Sequence, residues 1–249
     1  MTQTHKTLIF LIVTIFTLLL FNLGGRPVSK IQEVRIAETA REMLVSGDYV
    51  VPRYNGELRL QKPPLPYWTT VASYKVFGVN EFAVRLPAVL FGLLTALVMF
   101  LFVKKQASLN VASHVFLIAG TTFISIRYFR SGEADAMLLC FIGLACIIGY
   151  WLVMQNEQVQ TNIKSKYTQH LKCLFGLIIG LAFLSKGPAG IAIPLLSLAI
   201  FSWQQKKSSQ FKQCFSVYGL IAFFVIAGAW YAWIFWKLQI LRNNFWVNS

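Results

Sequence analysis

Seven apolar runs constrain any fold open to this chain: residues 8–23, 86–103, 111–126, 136–154, 171–184, 191–203 and 215–236. A bilayer span takes about 17–25 mostly apolar residues. Inside the hydrocarbon layer each backbone amide must find its partner within the protein, so such runs become helices. Only 13% of the residues are charged and 56% are hydrophobic, whereas a soluble domain carries roughly a quarter charged residues on its exterior. The expected fold class is an all-α polytopic membrane protein. The fifth and sixth runs are short and separated by Ser185-Lys186-Gly187-Pro188, which reads as two helices joined by a tight outer turn. The first run, flanked by His5 and Lys6, reads as a retained anchor. A secretory signal peptide is the alternative, although Phe21-Asn22-Leu23-Gly24-Gly25 offers no convincing cleavage site.

Charge is divided between two sets of connections. Lys6, Lys104, Lys105, Lys164, Lys166, Lys172, Lys206, Lys207 and Lys212 alternate onto one side, with Glu157 as its only acid. The positive-inside rule makes that side cytoplasmic, with the N-terminus on it. The other eight acids, from Glu33 to Asp135, lie in the first and third connections, on the opposite face. The net charge of +14 therefore reports topology and anionic headgroups. No compact basic and aromatic surface suits nucleic acid. Cys140, Cys146, Cys173 and Cys214 lack CxxC spacing and read as small core residues.

The connection from 26 to 85 is far longer than a helix bundle needs, and such loops are usually functional or carry their own structure. Ser29 and Gln32 fit a capping box. Ile36, Ala40, Met43 and Leu44 form an apolar stripe, Arg35, Glu38 and Glu42 lie on another face, and Gly47 supplies a stop. An amphipathic helix follows, either on the membrane surface or packed with a solvated charged face. Asn55-Gly56 marks a turn. The prolines of Lys62-Pro63-Pro64-Leu65-Pro66-Tyr67-Trp68 predict a stiff extended segment that presents Lys62, with Tyr67 and Trp68 at interfacial depth. A second surface helix is expected through Ser73, Tyr74 and Phe77 to Gly78. Two further outer turns hold ionisable groups at costly depth: Arg127 to Asp135, and Ser185-Lys186-Gly187-Pro188. The structural alternative is that Arg130 pairs with Asp135 and Lys186 snorkels.

Glu33 to Leu44, Ser46-Gly47-Asp48, Lys62-Pro63-Pro64-Leu65, Phe77 to Pro87 and Leu184-Ser185-Lys186-Gly187-Pro188 together resemble polyprenyl-phosphate-sugar-dependent glycosyltransferases. These are bacterial relatives of protein O-mannosyltransferases and of the 4-amino-4-deoxy-L-arabinose lipid A transferase. The resemblance runs in order through most of the chain. It implies a GT-C type transmembrane bundle with amphipathic surface helices in the first outer loop. Residues 1–249 would form a single transmembrane domain without the family's C-terminal part. The implied reaction moves a sugar from a polyprenyl (undecaprenyl) phosphate to an envelope acceptor (lipid A, glycan or protein) at the periplasmic face of the bacterial inner membrane. Such chemistry asks for a carboxylate at the acceptor and cations at the departing phosphate. Glu33 and Asp135 are the candidate catalytic acids. Lys62 and Lys186 match the cation positions, and Arg35, Arg130 and Tyr67 are candidate substrate contacts.

Two positions depart from the family pattern. Gln32-Glu33 stands where Asp-Glu is usual, and Gln61-Lys62-Pro63 where Glu-Lys-Pro is frequent. An amide is no general base and a poor ligand for a divalent cation, so no cofactor is expected, and Gln61 argues against a divalent metal. Glu33 then has to replace the missing acid; otherwise the chain is a truncated or inactive relative that binds polyprenyl phosphate without turnover. A transporter for the same lipid is the other alternative, but neither an internal repeat nor midplane polar breaks stand out.

Overall fold

The computed structural model describes residues 3–154 and 162–247. Glu157, the one acid assigned to the basic connections, lies outside them, as does Asn248-Ser249. The order is α1 (Gln3–Leu20), α2 (Ile31–Ser46), a two-stranded hairpin of β1 (Arg53–Tyr54) and β2 (Glu57–Leu58), then α3 (Leu65–Phe77) and α4 (Glu81–Gln106). There follow α5 (Leu109–Thr121), α6 (Phe123–Phe129), α7 (Asp135–Met154), α8 (Asn162–Lys186), α9 (Ala189–Gln204), α10 (Ser208–Phe211), α11 (Val217–Phe223) and α12 (Ala229–Val247).

All seven apolar runs are helical, but they are not seven equal spans. Among the described residues four helices are long and apolar enough to cross a membrane: α4, α7, Tyr167–Lys186 within α8, and Val217–Ile240. The last runs through α11, a π-helical turn (Phe224–Gly228) and α12. The third run is a broken span, α5 and α6 meeting at a 60° bend. The Thr121 and Thr122 hydroxyls there donate to the carbonyls of Leu117 and Ile118, the local back-bonding that bends helices. Ile9–Leu20 and α9 are shorter apolar helices. As expected, α8 and α9 are separate helices, parted by Gly187 in the left-handed region at φ 77°.

Two packed clusters hold the bundle. Leu11, Ile15 and Leu19 of α1 meet Val89 and Phe100 of α4 and Phe116 of α5. Phe141, Ile148 and Leu152 of α7 meet Phe175 and Ile179 of α8 and Leu198 of α9. Within a membrane, close backbone approach replaces the hydrophobic drive, and small residues permit it. A Cβ at Gly176 would lie 1.9 Å from the Gly219 carbonyl oxygen of α11, and one at Gly190 would lie 2.3 Å from the Ala182 carbonyl carbon. Both obstacles are backbone and cannot rotate away. Gly176→Val is expected to lower stability by about 1–3 kcal/mol, the usual cost of overpacking, read as a lower thermal unfolding midpoint in detergent. An unchanged midpoint would contradict this close helix contact.

The long outer loop is ordered by its own small core. Ile36, Ala40 and Met43 of α2 pack against Tyr67, Val71 and Tyr74 of α3 and Ala83 and Val84 of α4. The apolar stripe of α2 therefore faces protein. Three local expectations change. No capping box forms, because α2 starts one residue after Lys30, which has no capping side chain. The second surface helix begins at Leu65, since prolines in a first helical turn fit the required φ and lack only an amide hydrogen that would go unpaired. Tyr67 is consequently helical and fully buried within protein, not an exposed anchor. Gly47 does end α2, its amide donating to the Met43 carbonyl at φ 70°. Asn55-Gly56 does turn the hairpin, at φ 53° and 80°, both positive as a tight two-residue turn requires.

The loop is tied to the last span as well. The Trp230 indole donates to the Val50 carbonyl at 3.0 Å, and Lys237 Nζ lies 2.8 Å from Asp48 Oδ1. Burial pushes the Asp48 carboxyl up, but bonds from Lys237 and the Val50 and Val51 amides outweigh it, leaving the group below its ordinary range.

Candidate functional site

The α6–α7 turn carries the polar centre of the molecule, and Glu33 holds it from beneath. Glu33 is buried and its Oε1 accepts from Arg85 Nε at 2.8 Å and from the Gly132 amide at 2.9 Å. Arg85, 1% exposed, spends its other donors on the Leu23, Arg26 and Pro27 carbonyls and on Glu33 Oε2. Every donor of this guanidinium fork that could strand a buried charge is thus engaged, the condition under which a buried ion pair is tolerated. Gly132 keeps the approach close: a Cβ would sit 3.0 Å from Val84 Cγ2 and 3.1 Å from Glu33 Cγ, so these neighbours would have to give by a few tenths of an ångström.

Above this layer is a cavity of about 140 Å³, lined by Gln32 and Ile36 of α2, Arg59, Lys62, Pro66 and Tyr67 around the start of α3, Glu133 and Ala134 of the turn, Asp135 of α7 and Lys186 of α8. Lys186 Nζ donates to Asp135 Oδ1 at 2.6 Å, a partly exposed pair that joins α7 to α8 at the cavity. Arg59 is buried, and its Nε donates to the Tyr67 hydroxyl at 3.3 Å. Burial pushes the Tyr67 phenol above its ordinary range, with Arg59 pulling the other way, so Tyr67 stays a neutral hydroxyl. Glu133 Oε1 accepts from the Ser131 hydroxyl at 2.8 Å and lies 3.4 Å from Lys30 Nζ. A concave site with convergent cations beside carboxylates is equipped to bind a phosphate and to move a proton at a neighbouring oxygen.

The opposite end of α7 is basic. Lys105 Nζ lies 4.1 Å from the Trp151 ring and Lys207 Nζ reaches the Met154 sulfur at 3.7 Å. The 20 residues of α7, at about 1.5 Å each, separate this end from the cavity by roughly a bilayer core.

The profile of the dolichyl-phosphate-mannose-protein mannosyltransferase family matches residues 4–241. The chain belongs to that family. Among its curated relatives, an uncharacterized protein of Aquifex aeolicus is 30% identical over 91% of this chain and 43% of its own length. The undecaprenyl phosphate-alpha-4-amino-4-deoxy-L-arabinose arabinosyl transferase of Edwardsiella ictaluri is 31% identical over 84% of this chain and 36% of its own. The crystal structure of apo ArnT from Cupriavidus metallidurans superposes with a TM-score of 0.82 at 24% identity, over 98% of this chain and 45% of that one. The same protein bound to undecaprenyl phosphate gives 0.81. The fold is thus the GT-C membrane fold of these multi-pass proteins. The chain spans less than half the length of the relatives it matches.

In this mannosyltransferase-family chain the structure brings together four of the residues singled out from sequence: Lys62, Tyr67, Asp135 and Lys186 all line the cavity. Three do not reach it. Glu33 is sealed beneath by Arg85, because helix geometry turns it about 100° from Gln32, and the amide takes the cavity position. Arg35 is half-buried on α2, away from the lining. Arg130 donates to the Phe21 carbonyl instead of pairing with Asp135, and burial, with Arg26 and Arg85 nearby, lowers its pKa. Arg59 carries no signal in the sequence, and Glu133 is marked there only as one of the ionisable groups of the Arg127 to Asp135 turn, without a role of its own. Arg59 is placed by the hairpin folding back, its amide bonding the Pro52 carbonyl at 2.9 Å, which leaves no periodic signal. The role of Arg85 had a signal: a lone cation at the edge of an apolar run calls for a buried partner.

Proposed function

We propose that this chain is a membrane glycosyltransferase that moves a sugar from a polyprenyl phosphate donor to an envelope acceptor. The observation that carries this is the convergence of Lys62, Lys186 and Arg59 with Asp135 and Glu133 in one cavity. When the sugar leaves, the phosphodiester becomes a monoester and gains charge; preorganised cations stabilise that gain. Lys62 and Arg59 meet the phosphate, and Asp135 steers Lys186 toward it. Tyr67 fixes the Arg59 guanidinium. Glu33 positions the turn from below. The relatives named as undecaprenyl-phosphate arabinosyl transferases, and the ArnT structure bound to undecaprenyl phosphate, support undecaprenyl phosphate as the carrier. Residues 1–249 act as one transmembrane domain in this account, placed in a bacterial inner membrane. The N-terminus and the Lys105–Lys207 end face the cytoplasm and the cavity faces the periplasm, in line with the positive-inside rule.

The test uses the purified full chain in detergent with radiolabelled undecaprenyl phosphate-alpha-4-amino-4-deoxy-L-arabinose and crude envelope acceptors. Label is expected to leave the lipid in proportion to protein. Lipid that binds without losing its sugar would favour the non-catalytic alternative, for which Gln32 in the cavity lining is the specific support. The orientation is checked separately: a cysteine at Asn55, on the hairpin turn, should react with an impermeant maleimide added to the periplasmic side of spheroplasts. Reaction only after permeabilisation would reverse the topology.

A further inference from the structure

We infer that Glu133 is the group that takes the proton from the acceptor, and that the acceptor is a neutral hydroxyl. This rests on the transferase function proposed above. Of the two carboxylates that line the cavity, Glu133 and Asp135, Glu133 has the longer ion pair, 3.4 Å to Lys30 against 2.6 Å from Lys186 to Asp135. Glu33 lies outside the cavity, held by Arg85 and the Gly132 amide. The close ammonium at Asp135 Oδ1 stabilises that carboxylate as an anion and makes it the weaker base of the two. Gln32, the α2 side chain in the lining, is an amide and accepts no proton at neutral pH. Glu133 lines the cavity with its side chain 15% exposed. Among the described residues its polar contacts, to Ser131 and Lys30, run to Oε1, which leaves Oε2 for a substrate. The carboxylate is held at a fixed position because Gly132, its neighbour, is pinned by Glu33.

Charge matching selects the acceptor. Lys186 is matched by Asp135 and Lys30 by Glu133. Of the cations lining the cavity, Lys62 and Arg59 have no carboxylate partner among the described residues. Two unmatched positive charges suit one departing phosphate monoester. A second phosphate, as acceptor, would meet no free cation in the lining and would face the Glu133 carboxylate. A hydroxyl brings no charge and needs the base that Glu133 supplies. In the step, the acceptor oxygen forms a bond to the anomeric carbon while the bond from that carbon to the phosphate oxygen breaks. The electron pair leaves with polyprenyl phosphate, and the acceptor proton passes to Glu133.

The experiment compares wild type with Glu133→Gln in detergent, using the labelled undecaprenyl phosphate-linked sugar and three acceptor probes: n-octyl glucoside, n-octyl phosphate and sodium azide. Wild type is expected to label octyl glucoside and not octyl phosphate. Glu133→Gln should lose glucoside transfer by about 10²–10⁴-fold in kcat, the usual worth of a general base, with KM for the lipid unchanged. Azide needs no deprotonation, so the variant should still form the glycosyl azide, which a merely misfolded protein would not. Undiminished glucoside transfer by Glu133→Gln, or preferential labelling of octyl phosphate by wild type, overturns the inference alone. No transfer by wild type to any probe, with undecaprenyl phosphate still bound, overturns the transferase function and this inference with it.

Discussion

Replacing Lys186 with alanine is expected to cut donor turnover by about 10²–10³-fold, the range seen when one preorganised charge-stabilising donor is removed. Lys186 ends α8 at the cavity, and its ammonium is fixed by Asp135 at 2.6 Å across the α7–α8 contact. Both side chains are about a third exposed, so the pair adds little stability and its loss should barely move the unfolding midpoint. The chemical loss is larger, because a charge held in place before the reaction costs no reorganisation when the phosphate departs. Lys186→Arg retains charge but not the compact ammonium and should recover only part of the rate. Asp135→Asn leaves Lys186 charged but unsteered, and should act mainly on kcat. A Lys186→Ala enzyme as active as wild type would remove Lys186 from the site.

The second large effect concerns folding. Arg85→Ala is expected to destabilise the chain by about 3–5 kcal/mol, the cost of stranding one partner of a buried ion pair. The variant leaves Glu33 buried with the Gly132 amide as its remaining recorded partner, and three carbonyls, of Leu23, Arg26 and Pro27, lose their donor. These carbonyls lie on the stretch linking α1 to α2, so the end of α1, the start of α2 and the α6–α7 turn should loosen together. The thermal midpoint in detergent reads the loss directly. Replacing both partners with apolar residues, Arg85→Met with Glu33→Leu, should restore part of that stability but not the fixed turn, so activity stays low. A midpoint unmoved by Arg85→Ala would contradict the tie between the long loop and the bundle.

Much of the membrane architecture was legible because hydrocarbon permits few backbone solutions. The apolar runs marked every spanning helix, and Gly187-Pro188 marked the break between α8 and α9. Geometry that depends on side chains meeting across the fold was not legible. The third span breaks where Thr122 turns extended at ψ 142° beside the Thr121 and Thr122 hydroxyl back-bonds, which hydropathy cannot register. Tyr67 is buried because α3 starts earlier than its prolines suggested. The motif carrying Gln32-Glu33 pointed to a carboxylate on α2, yet neighbouring helical positions face different ways. The acid went under the turn and the amide into the cavity. Asp135 and Lys186 were found because charge at the edge of apolar helices is costly unless used, and Lys62 because the prolines after it present it stiffly in a motif that resembles the family's. Arg59 and Glu133 were missed as site residues because loop residues carry no period by which to tell cavity from solvent.

Donor turnover in one matched pair of variants shows whether the sugar leaves its lipid phosphate in the cavity lined by α2 and the start of α3. Purified wild type, Lys62→Ala and Arg41→Ala are given the labelled undecaprenyl phosphate-linked sugar, and released undecaprenyl phosphate is measured over time. Lys62 lines the cavity, while Arg41 lies outside its lining and pairs with Glu38 on the exposed face of α2. Turnover is expected from wild type and Arg41→Ala alike, with a loss of about 10²–10³-fold in Lys62→Ala. Equal turnover by all three proteins would contradict it.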